Sequence, residues 1–395
     1  MQKRGIKLPL SFKMPDKGII FLAISQFGMA FANNFVMVIM PFYILKISPY
    51  SQRDTVLWIG MVVGGASITT TLAAPFWGGL TARISPKFLF ERGLFCSAFV
   101  ILFMGFASNI QLLFFLRLIQ GALGGASTIG LILTSQLSTK ENIRENLSLF
   151  QNSITAGQLL GPPLGAYAAT AMGYRFPFFA AFAMIFIFLI FCHRYVRYVP
   201  PQGEPRRPDA SLKREILCGW LLCFIATLNL IYMPGILPFI LRTFQLKEHI
   251  AVSFAGIIMM SYTASSIFGS YLLCRLSSKR GLNSIMVLSL IIASFFQLLL
   301  ITSENVFSFG LVRMLQTAFI AAVFPLTISI FARKQVGGKV IGLLNSARFL
   351  GNAVGPLLAT TILAFFDLAS LYMVVAFLTL LSLFFFLKTE ELKEE

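Results

Sequence analysis

The sequence predicts an all-α membrane protein: twelve transmembrane helices in two pseudosymmetric six-helix bundles. Three observations carry that prediction. The first is composition. Of 395 residues, 57% are hydrophobic and only 12% charged, and Phe occurs 42 times. Mean hydropathy is +0.81. A soluble domain carries about 25% charged residues, so a soluble globular, disordered or coiled-coil chain is excluded. The second is that apolar runs of roughly 20 residues, the length that crosses a bilayer, recur along the whole chain. The third is that the chain echoes itself once, near its middle.

Taken in order, the runs fall near 18–46, 55–82, 88–107, 111–137, 146–171, 176–196, 215–242, 251–275, 283–302, 305–332, 339–366 and 368–387. Backbone polar groups in lipid must bond within their own segment, so these runs are helices; barrel strands would be shorter and would alternate. The first run follows Lys3, Arg4, Lys7, Lys13 and Lys17 and continues to Leu45. No short cleavable core precedes a small-residue site, so it reads as a retained span. Connections are short except at the middle, where Pro200, Pro201, Pro205 and Pro208 mix with charge. The expected organisation is a tail at 1–17, a bundle at 18–198, a linker at 199–214, a bundle at 215–388 and a tail at 389–395.

Net charge is +17. In a soluble protein that surplus would suggest nucleic acid as a partner. Here twenty-four Lys and Arg fall on the side of the termini. Five fall on the other: Lys46, Arg53, Arg175, Arg242 and Lys247. The bias puts both termini in the cytoplasm and accounts for the charge without nucleic acid. Cys96, Cys192, Cys218, Cys223 and Cys274 lie in or beside apolar runs with no disulfide or metal spacing, so they read as packing residues.

The internal echo has three parts. Ala82-Arg83-Ile84-Ser85-Pro86-Lys87 follows span 2, and Cys274-Arg275-Leu276-Ser277-Ser278-Lys279 follows span 8. Arg117 and Gln120 open span 4, and Arg313 and Gln316 open span 10. Gly157, Gly161 and Pro162 lie in span 5, and Gly351, Gly355 and Pro356 in span 11. Both copies start on the same side, so the repeat is parallel. Two such halves related by an axis along the membrane normal describe a transporter with a mid-membrane site between them.

At these residues the chain resembles the major facilitator superfamily over essentially its whole length. The stretch Pro75 to Lys87 is similar to the family's loop signature between spans 2 and 3. Arg117 to Gly121 resembles the span-4 signature, and Gly157 to Gly165 the span-5 signature associated with antiporters. The combination resembles the twelve-span drug:proton antiporter branch. The resemblance implies alternating access, export of small amphipathic compounds in the manner of multidrug efflux, and H+ as coupling ion, with no other cofactor. It also implies a monomer in the bacterial inner membrane, with a small-molecule substrate and the lipid bilayer as partners. Two departures stand out. The family's loop acid is Ala82 here and Cys274 in the repeat, and its Gly is Ser85 and Ser277. In the family that acid braces helix ends across the halves.

An ionisable group inside a span is functional by default. No Asp or Glu falls in mid-span; Asp54, Glu248, Glu304 and Asp367 sit at the outer edge. Drug:proton antiporters commonly use a buried acid, so a proton would fall to an edge acid such as Glu304 or Asp367. Three arginines are interior: Arg117, Arg313 and Arg348. An Arg does not release its proton; it binds anions, tunes neighbours or donates to carbonyls. Polar residues join them on the expected cavity-lining spans. The candidate substrate cavity comprises Asn33, Asn34, Arg117, Gln120, Gln158, Asn229, Tyr232, Tyr262, Arg313, Gln316, Asn345 and Arg348. The candidate gating and pivot residues are Arg83, Lys87, Arg275 and Lys279 in the loops, with Gly157, Gly161, Pro162, Gly165, Gly351, Gly355 and Pro356 as pivots between the halves. The alternative substrate is an anionic or zwitterionic metabolite held by Arg313 and Arg348. An enzyme is not expected, because no acid/base pair or metal-ligand group lies inside a span.

Overall fold

A computed structural model describes residues 16–139, 142–201, 213–333 and 338–394. The tail basics Lys3 to Lys13, the linker positions 202–212, and the side chains of Lys140, Arg144, Lys213, Lys334, Lys339 and Asn345 lie outside the described residues.

The chain forms fifteen α-helices among the described residues: α1 (Lys17–Met37), α2 (Met40–Ile47), α3 (Gln52–Leu80), α4 (Pro86–Phe106), α5 (Ile110–Ala122), α6 (Ala126–Leu137), α7 (Ile143–Met172), α8 (Phe176–Tyr195), α9 (Lys213–Ile231), α10 (Leu237–Thr243), α11 (Glu248–Arg280), α12 (Leu282–Leu299), α13 (Val306–Arg333), α14 (Gly338–Phe365) and α15 (Leu368–Glu394). They make twelve membrane crossings, because α1–α2, α5–α6 and α9–α10 are each one span broken in two. Among the described residues, eleven segments are long and apolar enough to cross a membrane. The twelfth crossing is α7, 30 residues long, whose Asn, Gln and Thr content lowers its hydropathy.

The breaks were not foreseen, though their chemistry is written in the chain. Pro41 stands at the start of α2, and Pro234, Gly235 and Pro238 surround the start of α10. Proline lacks the N–H that a continuing helix needs. At the α5–α6 break Gly125 adopts φ +95°, a left-handed conformation that suits glycine. By contrast α7 stays one helix through Pro162 and Pro163.

The two halves pack alike. In the first, α1 lies against α7 and α8, α3 against α5, and α4 against α8. In the second, α9 lies against α14 and α15, α11 against α13, and α12 against α15. These are the same span pairs, so the repeat in sequence is a repeat in packing. Across the halves α3 lies on α14, and α7 on α11. Every crossing runs between a proximal face, which carries residues 16 and 213, and a distal face.

Candidate functional site

Each half holds one Arg–Gln–Asn chain at its centre. In the first, Arg117 Nη1 donates to Gln120 Oε1 at 2.6 Å, and Gln120 Nε2 donates to Asn33 Oδ1 at 3.0 Å. Asn33 Nδ2 then donates to the Met29 carbonyl one turn back, at 3.0 Å. In the second, Arg313 Nη1 donates to Gln316 Oε1 at 2.7 Å, and Gln316 Nε2 to Asn229 Oδ1 at 3.0 Å. Asn229 Nδ2 donates to the Ile225 carbonyl at 2.9 Å.

The other paired donors of each guanidinium go mainly to backbone; Arg117 Nη2 also lies 3.7 Å from Met37 Sδ, and Arg313 Nε is buried without a partner among the described residues. Arg117 reaches the Val62 and Val63 carbonyls of α3, both at 3.0 Å. Arg313 reaches the Asn229 and Leu230 carbonyls of α9, at 2.9 and 3.3 Å. Leu230 would ordinarily accept from residue 234, but that residue is Pro234. Arg313 therefore caps the carbonyls that the α9–α10 break leaves unpaired, at the negative end of a helix dipole. This is how a guanidinium is held inside a span with no carboxylate beside it.

Burial corrects the cavity expectation for the second half. Arg313, Gln316 and Tyr232 are 0% exposed and Asn229 1%. The Arg313 guanidinium lies over the Tyr232 ring at 4.9 Å and the Tyr262 ring at 5.1 Å. Gln297 bonds the Tyr232 hydroxyl at 3.0 Å, and Asn229 also donates to Thr379 Oγ1 at 3.0 Å. So Asn229, Tyr232, Tyr262, Arg313 and Gln316 form a closed polar core inside the second bundle rather than an open wall. Spacing put them on one face, but it did not tell which neighbour that face meets. Gln297 and Thr379 belong to the same core and were missed as single polar residues in apolar runs.

In the first half Asn33, Asn34 and Arg117 are half-buried, Gln120 is buried and Gln158 is exposed. Asn34 donates to the Ala30 carbonyl at 2.8 Å. Arg348 is half-buried, with its guanidinium 4.6 Å over the Phe324 ring.

The pivot expectation is also corrected. A Cβ at Gly157 would meet the Phe31 nitrogen at 2.6 Å, one at Gly161 the Phe31 carbonyl at 2.8 Å, and one at Gly165 the Phe35 carbonyl at 2.0 Å. All three glycines therefore seat α7 on α1, within one half. Gly351 seats α14 on α9 in the same way, with Phe224 and Thr227 opposite, and Gly355 approaches the Leu228 backbone. The reason is geometric: small residues at four-residue spacing bring two helices close, and at these positions the close helix lies within the same bundle. Pro162 and Pro356 lie on the other faces. The Pro162 carbonyl lies 2.8 Å from a Cβ at Gly256 of α11, and the Pro356 carbonyl 3.2 Å from one at Gly60 of α3.

The contact between halves is thus built on glycines that sequence reading did not select. A Cβ at Gly60 would sit 1.8 Å from Thr360 Oγ1, and one at Gly64 2.6 Å from the Ala353 carbonyl. All belong to the distal part of their helices. Around them Arg53 lies 4.0 Å over the Phe365 ring, and the Tyr174 hydroxyl donates to Glu248 Oε1 at 2.6 Å. Burial and the Glu248 carboxylate push the Tyr174 phenol well above its ordinary value, so it remains a donor through neutral pH. The signal that would have found Gly60 and Gly64 is their four-residue spacing. A cavity of about 910 Å³ opens at this distal end, lined by Arg53, Arg242 and Asp367, away from both Arg–Gln–Asn chains.

Towards the proximal end the same stripes separate. Gly78 lies five helical turns after Gly60 on α3, and a Cβ there meets nothing within 4 Å. On α7, Gln158 and Gln151 lie four and eleven residues before Pro162 and are exposed. On α11, Tyr271 continues the Gly256 stripe and is 65% exposed. Exposed glutamines on the face turned to the other half describe a polar cleft that opens proximally and is separated from the distal cavity by the Gly60, Gly64 and Gly256 contacts.

The loop residues divide. Lys87 donates to the His193 carbonyl at the end of α8, at 2.9 Å, and lies 3.6 Å from Glu91. Arg83, Arg275 and Lys279 are exposed. Ser85 donates to the Val199 carbonyl at 2.8 Å, fixing the start of the linker. Arg92, which in the sequence counts only towards topology, has a further role. It donates to the Leu123 and Gly124 carbonyls at 3.0 and 3.1 Å and lies over Trp77, so it caps the α5–α6 break.

Two parallel six-helix halves meeting at span pairs 2–11 and 5–8 define a secondary-transporter fold. The chain belongs to the Major Facilitator Superfamily, whose family model matches residues 22–250 and again 216–395. It is 26% identical over 365 residues to the multidrug resistance protein MdtG of Enterobacter lignolyticus (strain SCF1), covering 88% of this chain and 86% of that one. It is 26% identical over 373 residues to an uncharacterized MFS-type transporter, YuxJ, of Bacillus subtilis (strain 168), covering 90% and 94%. Such relatives agree with the drug:proton antiporter resemblance. Among solved structures, it is similar to a bacterial homolog of the human lysosomal transporter Spinster, inward-facing and occupied. There the TM-score is 0.76 at 12% identity, over 94% of this chain and 96% of that one. The human organic anion transporter MFSD10 gives a TM-score of 0.70 at 17% identity, over 93% and 98%.

Proposed function

We propose that this protein exports small amphipathic organic compounds across the bacterial inner membrane by alternating access, with H+ as coupling ion. The observation that carries the reading is the distal closure. Backbone-tight contacts at Gly60, Gly64 and Gly256 join the halves at one end, while an exposed polar stripe parts them at the other. Rocking of one bundle on the other exchanges these two ends. The substrate class is supported by the relatives' names, and the orientation by the charge bias. Of the two edge acids expected to carry a proton, Asp367 is the weaker. Hydrogen bonds from Ser370 hold its carboxyl below the usual range, and it caps α15 instead. Glu304 is exposed and is the better candidate.

Everted membrane vesicles with an imposed pH gradient test the reading. Uptake of lipophilic cations, neutral amphiphiles and organic anions is followed together with proton movement. Saturable uptake of at least one class is expected, with proton release on its addition. In Gly60→Leu, whose side chain has no room against Thr360, uptake should fall at least about tenfold while the protein stays folded. Absence of uptake for all three classes would remove the exporter reading, and uptake without proton movement would remove H+ as the coupling ion.

A further inference from the structure

Arg117 and Arg313 spend most of their donors on carbonyls and glutamines, and Arg313 Nε is left without a partner among the described residues. Arg348 does not. Among the described residues it has no hydrogen bond and no ion pair; the Phe324 ring lies beneath it at 4.6 Å, and the buried Cys223 thiol of α9 is its electrostatic neighbour. It lies ten residues into α14, about 15 Å along the helix at 1.5 Å per residue. On α14, Gly351 and Gly355 face α9, whereas Ala353 and Thr360 face α3. Helical periodicity puts Arg348 about 40° from the mean direction of Gly351 and Gly355 and about 130° from that of Ala353 and Thr360, so it lies on the α9 side of the helix, in the corner towards α13. Helices α13 and α14 touch only sparingly, and the Phe324 ring and the Arg348 guanidinium fill the space between them.

The walls of that corner are aromatic. Trp220 and Phe224, one turn apart on α9, stack at 5.6 Å with planes 7° apart. The Trp220 indole donates to Ser346 Oγ at 3.3 Å, which fixes its ring. Trp220, Phe224, Phe324 and Arg348 are all half-buried, so each keeps an accessible face. A guanidinium with free donors at mid-membrane depth attracts a planar anion that can take two of them at once. Flat aromatic faces beside it favour an aromatic ring.

We propose that this corner binds a small amphipathic organic anion carrying an aromatic ring, its acid group on Arg348 and its ring against Trp220, Phe224 and Phe324. The proposal rests on the transport reading above and names its substrate class.

The test uses the full-length protein in phosphatidylcholine nanodiscs and three probes of one shape: 2-naphthoate, neutral 2-naphthamide and cationic 2-naphthylmethylamine. Calorimetry should find naphthoate bound about tenfold or more tighter than naphthamide. Arg348→Gln should erase that preference and leave naphthamide affinity unchanged, and Arg348→Lys should keep part of it. Equal affinity for the three probes in the natural protein overturns the site without recourse to a variant, as does an Arg348→Gln protein that still prefers naphthoate. Phosphatidylglycerol added to the discs should leave naphthoate binding in place; its loss there would assign the corner to a lipid headgroup and overturn the proposal. Transport of neutral or cationic amphiphiles with no anion preference removes this site and leaves the exporter. Naphthoate binding with no transport of any class leaves the site and removes the exporter.

Discussion

Arg117 and Arg313 occupy matching places in the two halves, and each begins the same three-residue chain. Their remaining donors differ. Arg117 crosses to the Val62 and Val63 carbonyls of α3, so it ties three helices: α1, α3 and α5. Arg313 returns to α9, the helix that also supplies Asn229, and caps its broken end. The difference lies in what each arginine holds still. The first braces α3, the helix that carries Gly60 and Gly64 against the other half. The second stabilises a break inside its own bundle and is sealed by two tyrosine rings. One repeat unit thus braces the contact between the halves in one copy and closes a core within its own half in the other.

The largest expected effect separates these roles. Arg313→Met leaves the Gln316 Oε1 and two α9 carbonyls unpaired at a site that is 0% exposed, while Gln316 Nε2 keeps its bond to Asn229. Each buried acceptor left without its donor costs about 1–3 kcal/mol, so together they are enough to unfold a marginal protein. Arg117→Met acts at a half-buried site whose carbonyls also bond within α3. Its stability loss should be smaller, about 1–3 kcal/mol, with transport lost beyond what that accounts for. Thermal unfolding in detergent, read beside vesicle uptake, checks both. Equal unfolding losses, or an Arg117→Met protein that transports normally, would break the comparison.

The sequence made the twelve spans, the parallel repeat and the three interior arginines legible, because each rests on hydropathy or on matched spacing. It did not tell which neighbour a face meets. Gly157, Gly161 and Gly165 show the limit: four-residue spacing announces a close helix, and here the close helix is α1, not the other half. Gly60 and Gly64 have the same spacing and do face the other half. The chemistry of the two patterns is identical, and only the packed bundle tells them apart. The polar core around Arg313 failed for the same reason. Asn229, Gln316 and Tyr232 read as a stripe, but a stripe lines a cavity only where no other helix covers it, and here Gln297 and Thr379 close it.

The two asparagines differ as well. Asn33 and Asn229 each accept from a glutamine and donate one turn back, but only Asn229 is shown with a further bond, to Thr379 of α15. Asn229→Leu should therefore destabilise more than Asn33→Leu, by about 0.5–1.5 kcal/mol, one hydrogen bond's worth. The order is read from the difference in unfolding midpoint between the two variants, and a reversed order would mean that the first half is the more rigid.

Thr379→Val isolates that single bond. Valine keeps the shape of threonine and removes the hydroxyl, which also donates to the Val375 carbonyl at 2.8 Å. The Asn229 amide retains its bond to the Ile225 carbonyl, so no charge is stranded. An interhelical hydrogen bond in a membrane protein contributes about 0.6 kcal/mol on average, so the expected loss is small. Its value lies in the double variant. If Thr379 accounts for the difference between the halves, Asn229→Leu should cost no more in a Thr379→Val background than Asn33→Leu costs in the natural protein. A persisting excess would assign the difference to the Tyr232 and Tyr262 rings around Arg313 instead, and would make the aromatic seal, not the extra bond, the feature that turns the second copy into a fixed core.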